Sequence, residues 1–128
     1  MNEDFVPFEL AKKLTLKGFN APCIAYYDEG ILRYNTKYPF ALTAEELLIS
    51  HNSVHTWIDA PTIAQVLKWL REEKKKYLEL VIAADAEYMC DIYKIDARPI
   101  KHLGSTEFYK TYEAAALAGI EYCLDNLI

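Results

Sequence analysis

The chain has 128 residues and a mass of 14.8 kDa, the size of one ordinary domain, read here as spanning residues 1–128. Hydrophobic residues at 52%, aromatics at 13% and charged residues at 26% exclude a disordered or collagen-like chain. Fourteen Lys and Arg against nineteen Asp and Glu give a net charge of -5, which repels a phosphate backbone and argues against nucleic acid as a partner.

The densest basic run, Lys74 to Lys76 near Arg71, is offset by Glu72 and Glu73 and reads as the solvated last turn of a helix. Cys23, Cys90 and Cys123 are odd in number and far apart, as expected of reduced thiols in a cytoplasmic protein. No apolar run approaches the ~20 residues of a membrane span. The residues after Met1 carry no basic leader, so neither membrane insertion nor secretion is expected.

In chain order, Pro7 suits a helix start. Leu10, Ala11 and Leu14 give that helix an apolar stripe, and Gly18 with Phe19 fits a Schellman end. Residues 23–27 and 31–34 then flank Asp28, Glu29 and Gly30, read as a three-residue hairpin loop. Residues 35–60 are irregular apart from a short helix opened by Thr43 and Glu46. Pro61 precedes a helix with Ile63, Val66, Leu67 and Leu70 on one face and Trp69 at its flank. Residues 77–84 and 87–95 form a second hairpin, and Thr111 opens a last helix striped by Leu117, Ile120, Leu124 and Leu127. The expected class is α+β, in the order α-ββ-α-ββ-α, with one four-stranded antiparallel sheet and the helices on one face.

Hairpin register follows from loop length. The first loop pairs Tyr27 with Ile31 and Ala25 with Arg33. The second, Ala84 to Ala86, pairs Tyr77 with Tyr93, Glu79 with Asp91 and Val81 with Met89 on the outer face, leaving Leu78, Leu80, Ile82, Tyr88, Cys90 and Ile92 for the core. The expected outer patch is therefore Tyr27, Ile31, Arg33, Tyr77, Glu79, Val81, Met89, Asp91 and Tyr93. It is larger than scattered apolar residues make. Glu79 opposite Asp91 demands a nearby cation, for which Arg33 is the candidate. The readings that stand open are a homodimer interface, a platform of rings for a small ligand, and a different register or a face covered by residues 35–60.

Chemistry is sparser. His51 and His55 stand four apart, with Asp59 at the next such interval, but in turn-rich sequence without the Glu of a zinc helix; no metal and no cofactor are expected. No G-x-S-x-G and no phosphate-binding glycine loop is present. A small enzyme would have to use a loop histidine or Cys23, and the expectation is a non-enzymatic protein. Trp57, with Tyr34, Tyr38 and Phe40, is a further contact candidate.

The segments Phe8-Glu9-Leu10-Ala11-Lys12-Lys13-Leu14 with Gly18-Phe19, Ala60-Pro61-Thr62 with Gln65 to Arg71, and Tyr112-Glu113-Ala114-Ala115 with Ala118-Gly119-Ile120-Glu121 resemble a group of small uncharacterised proteins of Bacteroidetes genomes and their prophages. The stretch from Asn35 to Asp59 departs from that group. The resemblance carries no active site. It implies a mobile-element protein that binds a host protein or a small signalling molecule. One form is anti-defence sequestration of a nucleotide by a homo-oligomer, with Arg33, Arg98 or Lys101 on phosphate; another is inhibition of a host protein.

Overall fold

The computed structural model describes residues 5–34 and 57–128. By internal contacts the chain divides into two compact units, residues 1–62 and 63–128. His51, His55, Tyr38, Phe40 and the short helix expected at Thr43 lie outside the described residues.

In the first unit, helix α1 (Phe8–Leu16) starts after Pro7, whose carbonyl accepts from Ala11 N–H at 2.9 Å. It ends as the sequence reading expects. Gly18 takes φ +94°, its N–H reaches Thr15 O at 3.1 Å, and Phe19 N–H reaches Leu14 O at 3.0 Å, the two bonds of a Schellman motif. Leu14 and Phe19 are buried. Strands β1 (Ala25–Asp28), β2 (Ile31–Tyr34) and β3 (Trp57–Asp59) follow, in the antiparallel order β2-β1-β3.

The first hairpin departs from its expected register. Asp28 pairs with Ile31, Tyr27 with Leu32, Tyr26 with Arg33 and Ala25 with Tyr34. The loop is two residues, with Glu29 at φ +53° and Gly30 at φ +86°. That is the left-handed pair of a type I′ turn, whose twist matches the strands. A slip of one residue reverses the faces. Tyr27 and Leu32 therefore share a side with Ile58, while Ile31 and Arg33 share the other with Asp28 and Trp57.

The second unit contains α2 (Ile63–Glu72), β4 (Lys76–Ile82), β5 (Tyr88–Lys94), β6 (Lys101–Ser105) and α3 (Tyr112–Asn126). Ile63, Val66 and Leu70 are buried as expected. Trp69, expected at the flank of that face, is buried too, and Lys74 Nζ lies 5.3 Å from its ring centroid. The β4/β5 register is the expected one through the six pairs from Tyr77 with Tyr93 to Ile82 with Tyr88, and Lys76 with Lys94 extends it by one. Ala83 N–H closes the loop on Glu87 O at 2.7 Å.

β6 pairs antiparallel with β5 across a bulge between Ile92 and Tyr93, so the expected four-stranded sheet is corrected to two three-stranded antiparallel sheets, β2-β1-β3 and β4-β5-β6. The described order is α-βββ-α-βββ-α. The α+β class stands. The strand orders differ between the units, which rules out a topological repeat despite the shared helix-then-strands sequence.

Beyond β6, Thr106 continues the pairing. Its N–H reaches Cys90 O at 2.9 Å and its hydroxyl accepts from Cys90 N–H at 2.9 Å. Helix α3 is capped by Thr111, whose hydroxyl accepts from Ala114 N–H at 3.1 Å. It lies on the sheet face of Leu78 and Cys90, with Gly119 at the closest approach. Ile120, Cys123 and Leu124 are buried beside it. No described helix is long and apolar enough to cross a membrane.

Candidate functional site

The nine residues assigned to one outer patch do not share a sheet. Tyr27, Ile31 and Arg33 belong to the first unit, and the I′ turn separates them further. Tyr27 is buried, edge-on to Phe8 at 5.4 Å between centroids, and its hydroxyl donates to Val6 O. Burial, and secondarily Tyr34, push its pKa up. It is a packing residue of the side facing Val6 and Phe8. Ile31 is exposed. Arg33 is held by Asp28, with Nε 3.2 Å from Oδ2, while Trp57 Nε1–H donates to Asp28 Oδ1 at 3.1 Å. The cation expected to neutralise Glu79 and Asp91 is thus committed to a different carboxylate.

The other six residues are brought together. Tyr77, Glu79 and Val81 on β4 face Tyr93, Asp91 and Met89 on β5. Tyr77 is 42% exposed, Glu79 is exposed, and Val81, Met89, Asp91 and Tyr93 are half-buried. On the opposite face Leu78, Cys90 and Ile92 are buried, Leu80 and Tyr88 are half-buried, and Ile82, expected in the core, is 59% exposed at the strand end. Period-two alternation along both strands produces this division.

β6 adds two residues that the sequence reading missed. His102 pairs with Tyr93 and Ser105 with Asp91, and the imidazole meets the Tyr93 ring edge-on at 5.3 Å. His102 Nε2 lies 3.2 Å from Asp91 Oδ1 and 3.1 Å from Ser105 Oγ. Ser105 Oγ donates to the same Asp91 oxygen. The signal available was the strand-like Ile100 to Leu103 after Pro99, interrupted by Gly104.

Ser, His and Asp in contact invite a catalytic reading, and the geometry answers it. A nucleophile relay needs one imidazole nitrogen on the carboxylate and the other on the hydroxyl. Here a single nitrogen faces both, and the serine proton points to Asp91 rather than to His102. The hydroxyl is tied down instead of activated. The arrangement anchors the Asp91 carboxylate on the face.

Around it the electrostatics are negative. Burial raises the Tyr93 pKa first, and the carboxylates of Asp91 and Glu79 raise it further, with a hydrogen bond to Glu79 adding to the effect. Such a phenol stays protonated through neutral pH. Lys94 and Lys101 pair with each other on the opposite side of the sheet, and Lys94 Nζ lies 3.6 Å from Asp96. Arg98 is exposed in the β5–β6 connection.

An open groove of about 400 Å³ lies where α3 passes the end of β6, lined in part by Thr106, Tyr109, Glu121, Tyr122 and Asp125. Gly104 admits the Tyr122 ring, since a β-carbon there would lie 3.1 Å from the Tyr122 hydroxyl. Among the described residues no Lys, Arg or His lines this groove.

The thiols are not poised for catalysis. Cys23 precedes β1, and its S–H donates to Ala21 O at 3.4 Å. Burial, then the Asp59 charge, push it up to about 12. Burial also pushes Cys90 and Cys123 to about 12. Among the described residues no group of three or more His, Cys, Asp or Glu is placed to hold a metal ion. No family model, curated protein or solved structure matches the chain.

Proposed function

We propose that this is a non-enzymatic interaction protein whose contact surface is the outer face of the β4-β5-β6 sheet. The observation that carries the reading is the register of the second hairpin, which lines up Tyr77, Val81, Met89 and Tyr93 on one side with Tyr77 left 42% exposed. Tyrosine rings and methionine suit such a role, since they supply large, adaptable contact area at small entropic cost. The fixed Asp91, His102 and Ser105 cluster supplies polar orientation in the middle of the patch, the usual combination of apolar area with a few placed polar groups. Three kinds of occupant suit such a face: a second copy of the chain, a partner protein, or a small ligand.

Native mass spectrometry of gently purified protein, alongside a Tyr77→Ser/Met89→Ser variant of unchanged circular dichroism, tests the reading. Wild type is expected to carry a second copy, a partner or a discrete ligand that the variant loses. A bare wild-type monomer whose Tyr77 and Tyr93 are nitrated by tetranitromethane as fast as free tyrosine would overturn it.

A further inference from the structure

Building on the outer-face reading, we infer that the occupant is a basic protein segment, with an arginine guanidinium seated over Tyr77 and Tyr93 against the Glu79 and Asp91 carboxylates. Two like charges directly opposite on adjacent strands repel, and Glu79 and Asp91 are so paired. The sequence offers Arg33 as the compensating cation, but its guanidinium sits on Asp28. Among the β4, β5 and β6 residues of this face, His102 alone can carry positive charge, and of the two carboxylates it approaches Asp91, at 3.2 Å, while Lys110, at the loop end, lies 3.9 Å from Glu87. Glu79, exposed, flanked by the two tyrosines and hydrogen-bonded to Tyr93, has no lysine or arginine among the described strand residues on its side. Carboxylate beside aromatic ring is the environment a guanidinium favours, through charge-assisted hydrogen bonds and cation–π contact.

Charge also decides between occupants. Two copies stacked face to face would bring Glu79 and Asp91 of each toward those of the other, across sheets about 10 Å apart. That arrangement compounds the repulsion. A phosphate-bearing ligand meets the same carboxylates and is disfavoured for the same reason, whereas a basic segment relieves them. The net charge of -5 speeds such an encounter at low salt.

The probe is a fluorescein-labelled twelve-residue peptide of alternating leucine and arginine, compared with its citrulline counterpart, titrated into the full chain by anisotropy at physiological salt. The inference expects the arginine peptide to bind at least about tenfold more tightly than the citrulline peptide, and Glu79→Gln/Asp91→Asn to remove that difference. Glu72→Gln/Glu73→Gln, which lowers the acidic charge equally at the end of α2, is expected to leave binding unchanged. Equal weakening by both double variants would overturn the inference in favour of diffuse attraction. If both peptides bind alike and Tyr77→Ser abolishes both, the cation assignment fails while the outer-face reading stands. If neither peptide binds and native spectra show a dimer abolished by Tyr77→Ser/Met89→Ser, the occupant is a second copy and the inference is overturned.

Discussion

Gly119 of α3 lies directly over Cys90 of β5, so close that a β-carbon at 119 would stand 2.5 Å from the Cys90 sulfur and 3.1 Å from Leu78 Cδ2. The helix therefore approaches the sheet at the one position in its buried face that has no side chain. Gly119→Ala gains helix propensity but overpacks this contact, and we expect a net loss of about 1–3 kcal/mol in urea denaturation. Cys90→Ala removes the sulfur and should restore part of the loss, giving a coupling of about 1 kcal/mol in the double-mutant cycle. Additive losses would mean that the helix shifts away instead of pressing on the thiol.

The turns offer a second test. Glu29 sits at φ +53° and Ala86 at φ +67°, left-handed positions that cost an ordinary side chain about 1 kcal/mol and cost glycine or asparagine less. Glu29→Asn creates the Asn-Gly pair that type I′ turns favour, and Ala86→Gly relieves the second loop. Each should stabilise by about 0.5–1 kcal/mol, read as a rise in Tm. No change for Glu29→Asn would argue against the two-residue turn and for the three-residue loop.

The same turns explain how much of the structure is legible in the sequence. The second hairpin is read correctly because Leu78, Leu80 and Ile82 with Tyr88, Cys90 and Ile92 make one uncharged face, which puts both Glu79 and Asp91 on the other. The first has only four residues per strand, and the reading gives the left-handed conformation to Gly30 alone, whereas the fold also forces Glu29 into it. One residue of slip then moves Tyr27 away from Ile31 and Arg33. β3 is three residues long and β6 contains Lys101, His102 and Gly104, so neither carries an alternating signal. Their pairing comes from β1 and β5. The candidate face is accordingly legible in Tyr77, Glu79, Val81, Met89, Asp91 and Tyr93, and illegible in His102 and Ser105, which reach it only through that pairing.

Thiol chemistry follows from burial. With Cys23, Cys90 and Cys123 each raised from 9.0 to about 12, the thiolate fraction at pH 8 is far below that of an exposed cysteine. Iodoacetamide should modify the folded protein at least about a hundredfold more slowly than the protein in guanidinium chloride. Above pH 9 the unfolded chain releases thiol protons that the folded chain retains, so the folded state binds more protons and stability falls as pH rises. The raised Tyr27 and Tyr93 act in the same direction. Tm should be level from pH 7 to 8.5 and decline progressively above about 9. Rapid single-site alkylation at pH 8 would identify a reactive cysteine and return Cys23 to consideration as a nucleophile.

In the first unit the test centres on Asp28, which joins β2 and β3 across β1 by accepting from Arg33 Nε at 3.2 Å and from Trp57 Nε1 at 3.1 Å. Both partners and Asp28 itself lie on the side opposite Tyr27, a geometry that exists only in the observed register. Asp28→Asn keeps one acceptor but loses the charge, and should cost about 0.5–1 kcal/mol because the Arg33 pair is half exposed. Asp28→Ala leaves the Trp57 N–H without this partner and should cost about 1–2 kcal/mol. Trp57 and Trp69 are the two tryptophans, and Trp69 is buried in the other unit, so a Trp69→Phe background isolates the Trp57 emission. In that background Asp28→Ala should shift the emission maximum, while Tyr27→Phe, which removes only the hydroxyl bonded to Val6 O, should leave it in place. The reverse pattern would place Tyr27, not Asp28, beside Trp57 and restore the register in which Tyr27 faces Ile31.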